Sequence, residues 1–473
     1  MPRLVSRFVR FAMPLRTASP RIQFRGAARS LLKFSVFGAL TIGVAYESIH
    51  LYVEHIQLAP DSDSDLRKWG WAERWTGDPQ RGGTDPALGL KGRHLVRAAW
   101  MASNWGVGQS TAMVNPSTNT TGGIPGPGGS RVIDAALQRT DEFLRSAIEI
   151  AEKKAASGAL SSSTLNSLLL HHASVLERLE DGFPRTSKSH YERAWAISPE
   201  PHVAWKLGDL NSRLGQADDA LAWWSRAILL ACGKNSDGRE LVPVVPSIAP
   251  SSPQDQRTLT SALVSLSAFY ATSGQFKKAQ QVDESALDLI RSIPPPASLA
   301  TASPAQSLHA LYLLHRSSLL SIHLAEVLHA QKKPSPTSIQ WLTSAAESSE
   351  RVAYALTGIP LETFHQQDSV PQDRRLLNTY TSSHGMNKVA STLLRDSSRT
   401  AAEAWHLIGV LHEASEGPTS GQALKCYERA VGWAGKTVPQ SDAKVAGDGT
   451  LEAEWNMIWS SYNRLRQQAS RDK

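Results

Sequence analysis

The sequence predicts an all-α chain, a solenoid of stacked helical hairpins preceded by a single N-terminal transmembrane helix. Three observations carry this. No stretch alternates Val, Ile and Thr in the two-residue rhythm of a strand, while Ala, Leu, Ser, Gln and Arg fill the periodic stretches. Equivalent residues recur at one period, since Tyr191 and Trp224, like Ala194 and Ala227, are thirty-three positions apart. A run of uncharged residues, Phe34 to Tyr46, stands alone near the front of the 473-residue chain.

The clearest hairpin lies between His190 and Ala231. Leu207 and Gly208 sit on a first helix, Gly215 at the turn, and Ala220, Trp224 and Ala227 on a second, with Tyr191, Ala194 and Pro199 closing the unit before it. Two antiparallel helices approach closely only where the crossing residues are small, so Gly208 is expected opposite Ala220, with bulky Leu207 and Trp224 filling the space between hairpins. The spacing resembles the tetratricopeptide (TPR) family, whose pattern W-x2-L-G-x2-Y, A-x3-F, P repeats roughly every 34 residues. Two further segments are similar to it. Leu266, Tyr270, Gly274, Ala279 and Ala286 match in one, although Asp283 replaces the large aromatic; Trp405, Ile408, Gly409, His412, Ala423, Tyr427 and Ala430 match in the other, with a longer turn. A hairpin from Ser317 to Tyr354 keeps the helical rhythm and lacks most signature residues. The resemblance, from Leu168 to Ala434, implies a superhelix with a concave surface that binds other chains.

The chain carries 50 basic and 43 acidic side chains, a net charge of +7. Arg3, Arg7, Arg10, Arg16, Arg21, Arg25, Arg29 and Lys33 all precede Glu47, the first acid; the remaining 42 bases face 43 acids. The excess is therefore local and gives no basis for nucleic-acid binding. Residues 1–30, rich in Arg and free of acids, place Val5, Phe8, Val9 and Ala12 on one helical face, the pattern of a mitochondrial presequence; the alternative is a plain basic arm.

Residues 31–53 are expected to form the transmembrane helix. The thirteen uncharged residues fall short of the ~20 a bilayer core requires, but the span suffices if Lys33 snorkels and Glu47, His50, Tyr46 and Tyr52 lie at the opposite interface; the alternative is a buried or amphipathic helix. Ala39 and Gly43 either seat a partner helix or merely tolerate lipid. Bases before the span and Glu47, Glu54, Asp61, Asp63 and Asp65 after it predict an N-terminus in the matrix and a C-terminal domain in the intermembrane space. Residues 54–109 form a collar holding Trp69, Trp71, Trp75, Trp100 and Trp105, either packed on the first hairpin or touching the membrane surface. Residues 110–131, rich in Gly, Pro, Ser and Thr, read as a flexible linker, 132–435 as the solenoid, and 436–473 as a linker and C-terminal capping helix.

No H-E-x-x-H, P-loop, G-x-S-x-G or dinucleotide fingerprint is present, so neither catalytic residues nor cofactors nor metal ligands are assigned. His171 and His172 are adjacent and point to different helix faces; Cys232 and Cys426 are expected reduced and buried. If Ala204, Leu207, Gly208 and Asn211 pack inward, then His202, Trp205, Asp209 and Arg213 line the concave face as a partner-binding groove. TPR proteins that clamp a carboxyl terminus use Lys and Asn there, whereas Asp209 repels one; Trp, His and mixed charge suit extended, partly unfolded polypeptide. Presequence, membrane helix and TPR array together resemble the fungal inner-membrane TPR adaptors of the i-AAA protease. That resemblance implies a non-catalytic adaptor delivering substrates to the AAA protease. An assembly or translation scaffold of the same membrane, or an enzyme with its site in the Trp-rich segment, are the other readings.

Overall fold

A computed structural model describes residues 20–60, 64–71, 75, 82–106, 112–114, 124–125, 131–133, 135–179, 184–234, 242–299, 301–360, 370, 374–417, 420–435 and 449–471. Residues 1–19 of the stretch read as a presequence and most of the Gly/Pro-rich run therefore lie outside the described residues. Helices dominate. A first helix, α1 (Pro20–Tyr52), about 50 Å long at 1.5 Å per residue, passes into a π-helical turn at Val53–Gln57. Among the described residues it holds the one stretch, Ser35–Gln57, long and apolar enough to cross a membrane, and Val36, Phe37, Leu40, Ile42 and Val44 on it are exposed.

A short helix, α2 (Ser64–Lys68), and then α3 (Gly89–Trp105) follow. The remaining helices are α4 (Ala135–Ala156), α5 (Ser162–Arg178), α6 (Pro184–Ile197), α7 (Pro201–Arg213), α8 (Ala217–Ala231), α9 (Pro253–Thr272), α10 (Phe276–Ser292), α11 (Pro304–Ala330), α12 (Ser335–Thr357), α13 (Asn378–Thr381), α14 (His384–Glu416), α15 (Gly421–Trp433) and α16 (Gly449–Arg471). Their starts are written locally. Ser252, Ser303, Ser383 and Ser420 each accept a backbone N–H of the helix they open, and Pro201, Pro253 and Pro304 stand at positions whose N–H has no intrahelical partner anyway. The α7–α8 and α9–α10 turns are three residues long, each with a glycine at positive φ, Gly215 at 74° and Gly274 at 72°.

Helices pack in chain order, and the first helices of successive hairpins also touch, α7 on α9, α9 on α11 and α11 on α14. Contacts thus run mainly between helices near one another in the chain. The buried apolar residues accordingly form several clusters, one running from Ala204 and Trp224 through α9 and α10 to Leu328, others around α4–α5, α12–α14 and α15–α16. Tyr191, Ala194, Leu207, Gly208, Ala220, Trp224, Ala227, Tyr270, Ala279, Gly409, Ala423, Tyr427 and Ala430 are all buried, while Trp405 is half-buried. On α16, Leu465 closes over Ala423 and Tyr427, and Arg464 pairs with Glu413 of α14.

Four details differ from expectation. Gly208 lies against the Trp224 ring, a contact the spacing did not indicate: a Cβ there would lie 2.4 Å from the indole Cδ1, and Gly409 stands in the same relation to Tyr427 at 2.6 Å. The glycine makes room for the aromatic ring of its own hairpin. Three strands of two or three residues, β1 (Ala112–Val114), β2 (Ile124–Pro125) and β3 (Arg131–Ile133), form an antiparallel sheet in the order β1-β3-β2, with Met113 opposite Val132 and Ile124 opposite Val132, the first two inside the stretch read as linker and the third running past its end. Strands this short contain too few residues to display an alternation. Cys232 is half-buried beyond the end of α8, whereas Cys426 is buried; both are free thiols.

The fourth difference is the collar, which reaches well past the first hairpin. Trp75 stacks on His171 at 4.3 Å and joins Trp100 in the cluster of α4 and α5. Trp71 instead packs with Leu66 against α11, α12 and α14, and its indole N–H donates to the Ala305 carbonyl at 3.0 Å. Arg257 of α9 holds the segment, with its guanidinium 3.8 Å from the Trp71 ring centroid and donating to the carbonyls of Trp69 (2.9 Å) and Gly70 (3.0 Å). Residues 64–71 therefore form a strap across the middle of the stack.

Candidate polypeptide-binding groove

Helix α7 starts at Pro201 and ends where Gly215 turns left-handed, so His202, Trp205, Asp209 and Arg213 share one face over three turns. Two of the four reach a common cleft. Asp209 and Arg213, with Glu177 of α5, Ser212, Trp224 of α8 and Ser265, Ala268, Phe269 and Thr272 of α9, line an open cleft of about 370 Å³ between the first helices of adjacent hairpins. Trp205 lies further up the helix, half-buried, its indole N–H donating to the Ser265 hydroxyl at 3.2 Å. His202 sits against Trp205, ring centroids 5.4 Å apart, and burial together with Lys206 lowers it to about 4, so it is neutral at pH 7.

Charge in the cleft is organised around Glu177. Its carboxylate accepts the Tyr191 hydroxyl at 2.5 Å and pairs with Lys206 at 3.2 Å and Arg213 at 3.4 Å. Asp209 accepts the Trp224 indole N–H at 3.0 Å. Burial raises the pKa of Asp209, and the hydrogen bonds from Ser265 and Trp224 pull part of that back. Arg213 is half exposed at the rim and keeps donors free toward solvent. The floor is thus aromatic, from Trp224 and Phe269, which meet edge-on at 5.5 Å, and the walls carry hydroxyls and charges of both signs.

Such a lining suits a chain that presents both N–H donors and apolar side chains. A free carboxylate entering this lining meets Asp209 and Glu177, with Arg213 the cation among the described lining residues and Lys206 already paired with Glu177. A larger open cleft of about 650 Å³ lies beside α13 and α14. Its guanidinium groups are engaged: Arg374 donates to the carbonyls of Trp433 (3.1 Å) and Gly432 (3.4 Å), and Arg395 pairs with Asp396 at 3.3 Å. Among the described residues no cluster of three His, Cys, Asp or Glu could hold a metal ion. His171 lies on Trp75, whereas His172 bonds Asp141 at 2.6 Å, so the two do not converge.

Glu177, Ser212, Ser265, Phe269 and Thr272 were not among the residues that the helix-face reasoning selected, because they come from α5 and α9 or from the end of α7. A signal for Glu177 exists. It precedes Tyr191 by the same fourteen residues that separate Glu413 from Tyr427, and Glu413 accepts the Tyr427 hydroxyl at 2.9 Å. A carboxylate one turn past the small residue of the first helix thus receives the aromatic hydroxyl of the second in both hairpins. No family model matches the chain, and no curated protein matches it in sequence.

Proposed function

We propose that the hairpin stack is a TPR-like solenoid, anchored in the mitochondrial inner membrane by α1 with its bulk in the intermembrane space, and that it holds extended polypeptide in the groove on α7 and α9. The role we favour is a non-catalytic adaptor that delivers substrates to the i-AAA protease. The observation that carries the solenoid reading is the repeated intimate pair, Gly208 on Trp224 and Gly409 on Tyr427, at equivalent positions of hairpins two hundred residues apart. The groove supports the ligand class: an aromatic floor gives affinity for many side chains, and paired acids and bases leave sequence selectivity low.

The membrane reading is supported by the exposed apolar surface of α1 and by the excess of bases before it. Its test is carbonate extraction combined with protease protection of mitoplasts, which reports anchoring and side together. Affinity capture of the tagged chain from solubilised mitochondria tests the partner. Recovery of a AAA protease, reduced by Arg213→Glu, is the expected result; recovery of ribosomal or respiratory-assembly proteins in its place would move the reading to an assembly or translation scaffold.

A further inference from the structure

The end of α1 is inside out by the standards of a soluble helix. Glu47, His50 and Glu54 lie on one face, and there His50 and Glu54 are buried under α3, while Ile49, Leu51, Tyr52 and Ile56 on the other faces are exposed, Ile56 at 52%. The buried side is engaged apart from the His50 imidazole, whose two nitrogens have no hydrogen-bond partner and which rests on the rings of Tyr46 and His94. Glu54 accepts the Thr84 backbone N–H at 2.8 Å and hydroxyl at 2.6 Å, and pairs with Arg93 at 2.9 Å and Arg97 at 3.4 Å; Glu47 meets His94 at 2.8 Å, and Arg97 donates to the His50 carbonyl at 3.2 Å. Charged groups paired within and apolar groups turned outward are what a low-dielectric surrounding demands.

Helix α3 continues this surface. Leu90, His94, Ala98 and Trp105 share an arc of about 80° at 100° per residue, on the side away from Val96, Ala99 and Trp100, which pack into the cluster with α4 and α5; Met101, in the same arc, is partly buried against that cluster. The two ends of that stripe, Leu90 at 73% and Trp105 at 43%, are exposed. Its course relative to α1 follows from ring contacts. His94 lies 6.0 Å from Tyr46 and Trp105 lies 6.3 Å from Tyr52, so about 16 Å along α3 matches only about 9 Å along α1, and α3 runs steeply across it.

Resting on the reading of α1 as a membrane anchor, we infer that α3 and the last turns of α1 form a platform lying in the interfacial zone of the same bilayer, with Leu90, Trp105, Tyr52 and Ile56 among the headgroups and upper acyl chains. The occupant is lipid because the patch is continuous with the exposed surface of the stretch that crosses it, and because Tyr52 and Trp105 supply the amphipathic rings found at that depth. The hairpin stack then begins flat on the membrane, with α3 as the layer between lipid and α4.

The test uses the full chain carrying C232S and C426S, reconstituted in phosphatidylcholine–phosphatidylglycerol vesicles and labelled with an environment-sensitive fluorophore at L90C, I56C or the exposed control D288C. Nitroxide lipids labelled near the headgroup should quench L90C and I56C about twofold more than lipids labelled near the chain end, and D288C should respond to neither. Unquenched L90C and I56C in a protein that still floats with vesicles and resists carbonate would overturn the platform while leaving the anchor intact. A blue-shifted emission at L90C without lipid quenching would assign the patch to protein contact and overturn it equally. Loss of flotation itself would remove the anchor and the platform together.

Discussion

Asp283 occupies the place that Trp224 and Tyr427 hold in the neighbouring hairpins, and it is fully buried between α9 and α10 with no hydrogen-bond partner on either oxygen. Burial pushes its carboxyl up to about 8 from 3.8; the Ser267 hydroxyl across the crossing opposes the rise without reaching hydrogen-bond geometry, and Glu284 and Glu326 add smaller contributions to it. At 1.36 kcal/mol per unit the whole shift corresponds to about 6 kcal/mol of destabilisation once the group must ionise, an upper bound because water entry relaxes it. Between the unfolded value near 4 and about 8 the folded chain holds this proton more tightly than the unfolded one, so stability falls as pH rises through that window and is fully retained only below it. Asp283→Leu should therefore raise stability by about 2–4 kcal/mol near pH 8 and by much less near pH 4. Urea unfolding of the full chain in detergent, followed by circular dichroism at both pH values, measures this, and hydrogen exchange of α9 and α10 localises it. Equal midpoints for wild type and variant near pH 8, or a difference that does not shrink toward pH 4, would refute the assignment of a buried, unpaired acid.

Gly208→Ala should lower stability by about 2–3 kcal/mol, because its Cβ would meet the Trp224 indole, while Gly421→Ala, with nothing within 4 Å, should be nearly neutral; paired urea titrations decide. Glu350, buried in α12, accepts both Arg429 donors at 2.6 Å and the indole N–H groups of Trp405 (2.7 Å) and Trp433 (2.6 Å). Glu350→Ala should cost about 3–5 kcal/mol by stranding those donors, read as a drop in the denaturation midpoint with loss of protection in α14 and α15. Trp71→Ala should cost about 3–5 kcal/mol and free the strap, so that limited proteolysis cuts between α2 and α3 faster than in wild type while the helical content is kept.

The helical character of the chain was legible because its cause is local: Ser and Pro at helix starts, glycine at tight turns, and apolar residues recurring every three or four positions. The contact of Gly208 with Trp224 was not read from the sequence, since spacing reveals that Gly208 meets something close without revealing that the Trp224 ring is what fills the gap. In the groove, Asp209 and Arg213 could be named from the helix face alone, whereas Glu177 and Phe269 come from α5 and α9; Trp205 was drawn onto α9 by Ser265, and His202 packs on Trp205. The docking of Trp71 on Ala305 joins residues 234 apart, a distance at which no periodicity carries information.

That last contact also orders the birth of the molecule. Its receptor on α9, α11 and α14 is synthesised hundreds of residues after the strap itself, so a nascent or translocating chain delivers residues 64–71 long before there is anything for them to grip. Neighbouring hairpins can zip up as they emerge, yet Leu66, Trp69 and Trp71 must wait, greasy and uncovered, until the distal half has assembled. Closure of the strap is therefore the late event of folding, and a chain truncated before α11 would be left with an aromatic segment exposed to holding chaperones.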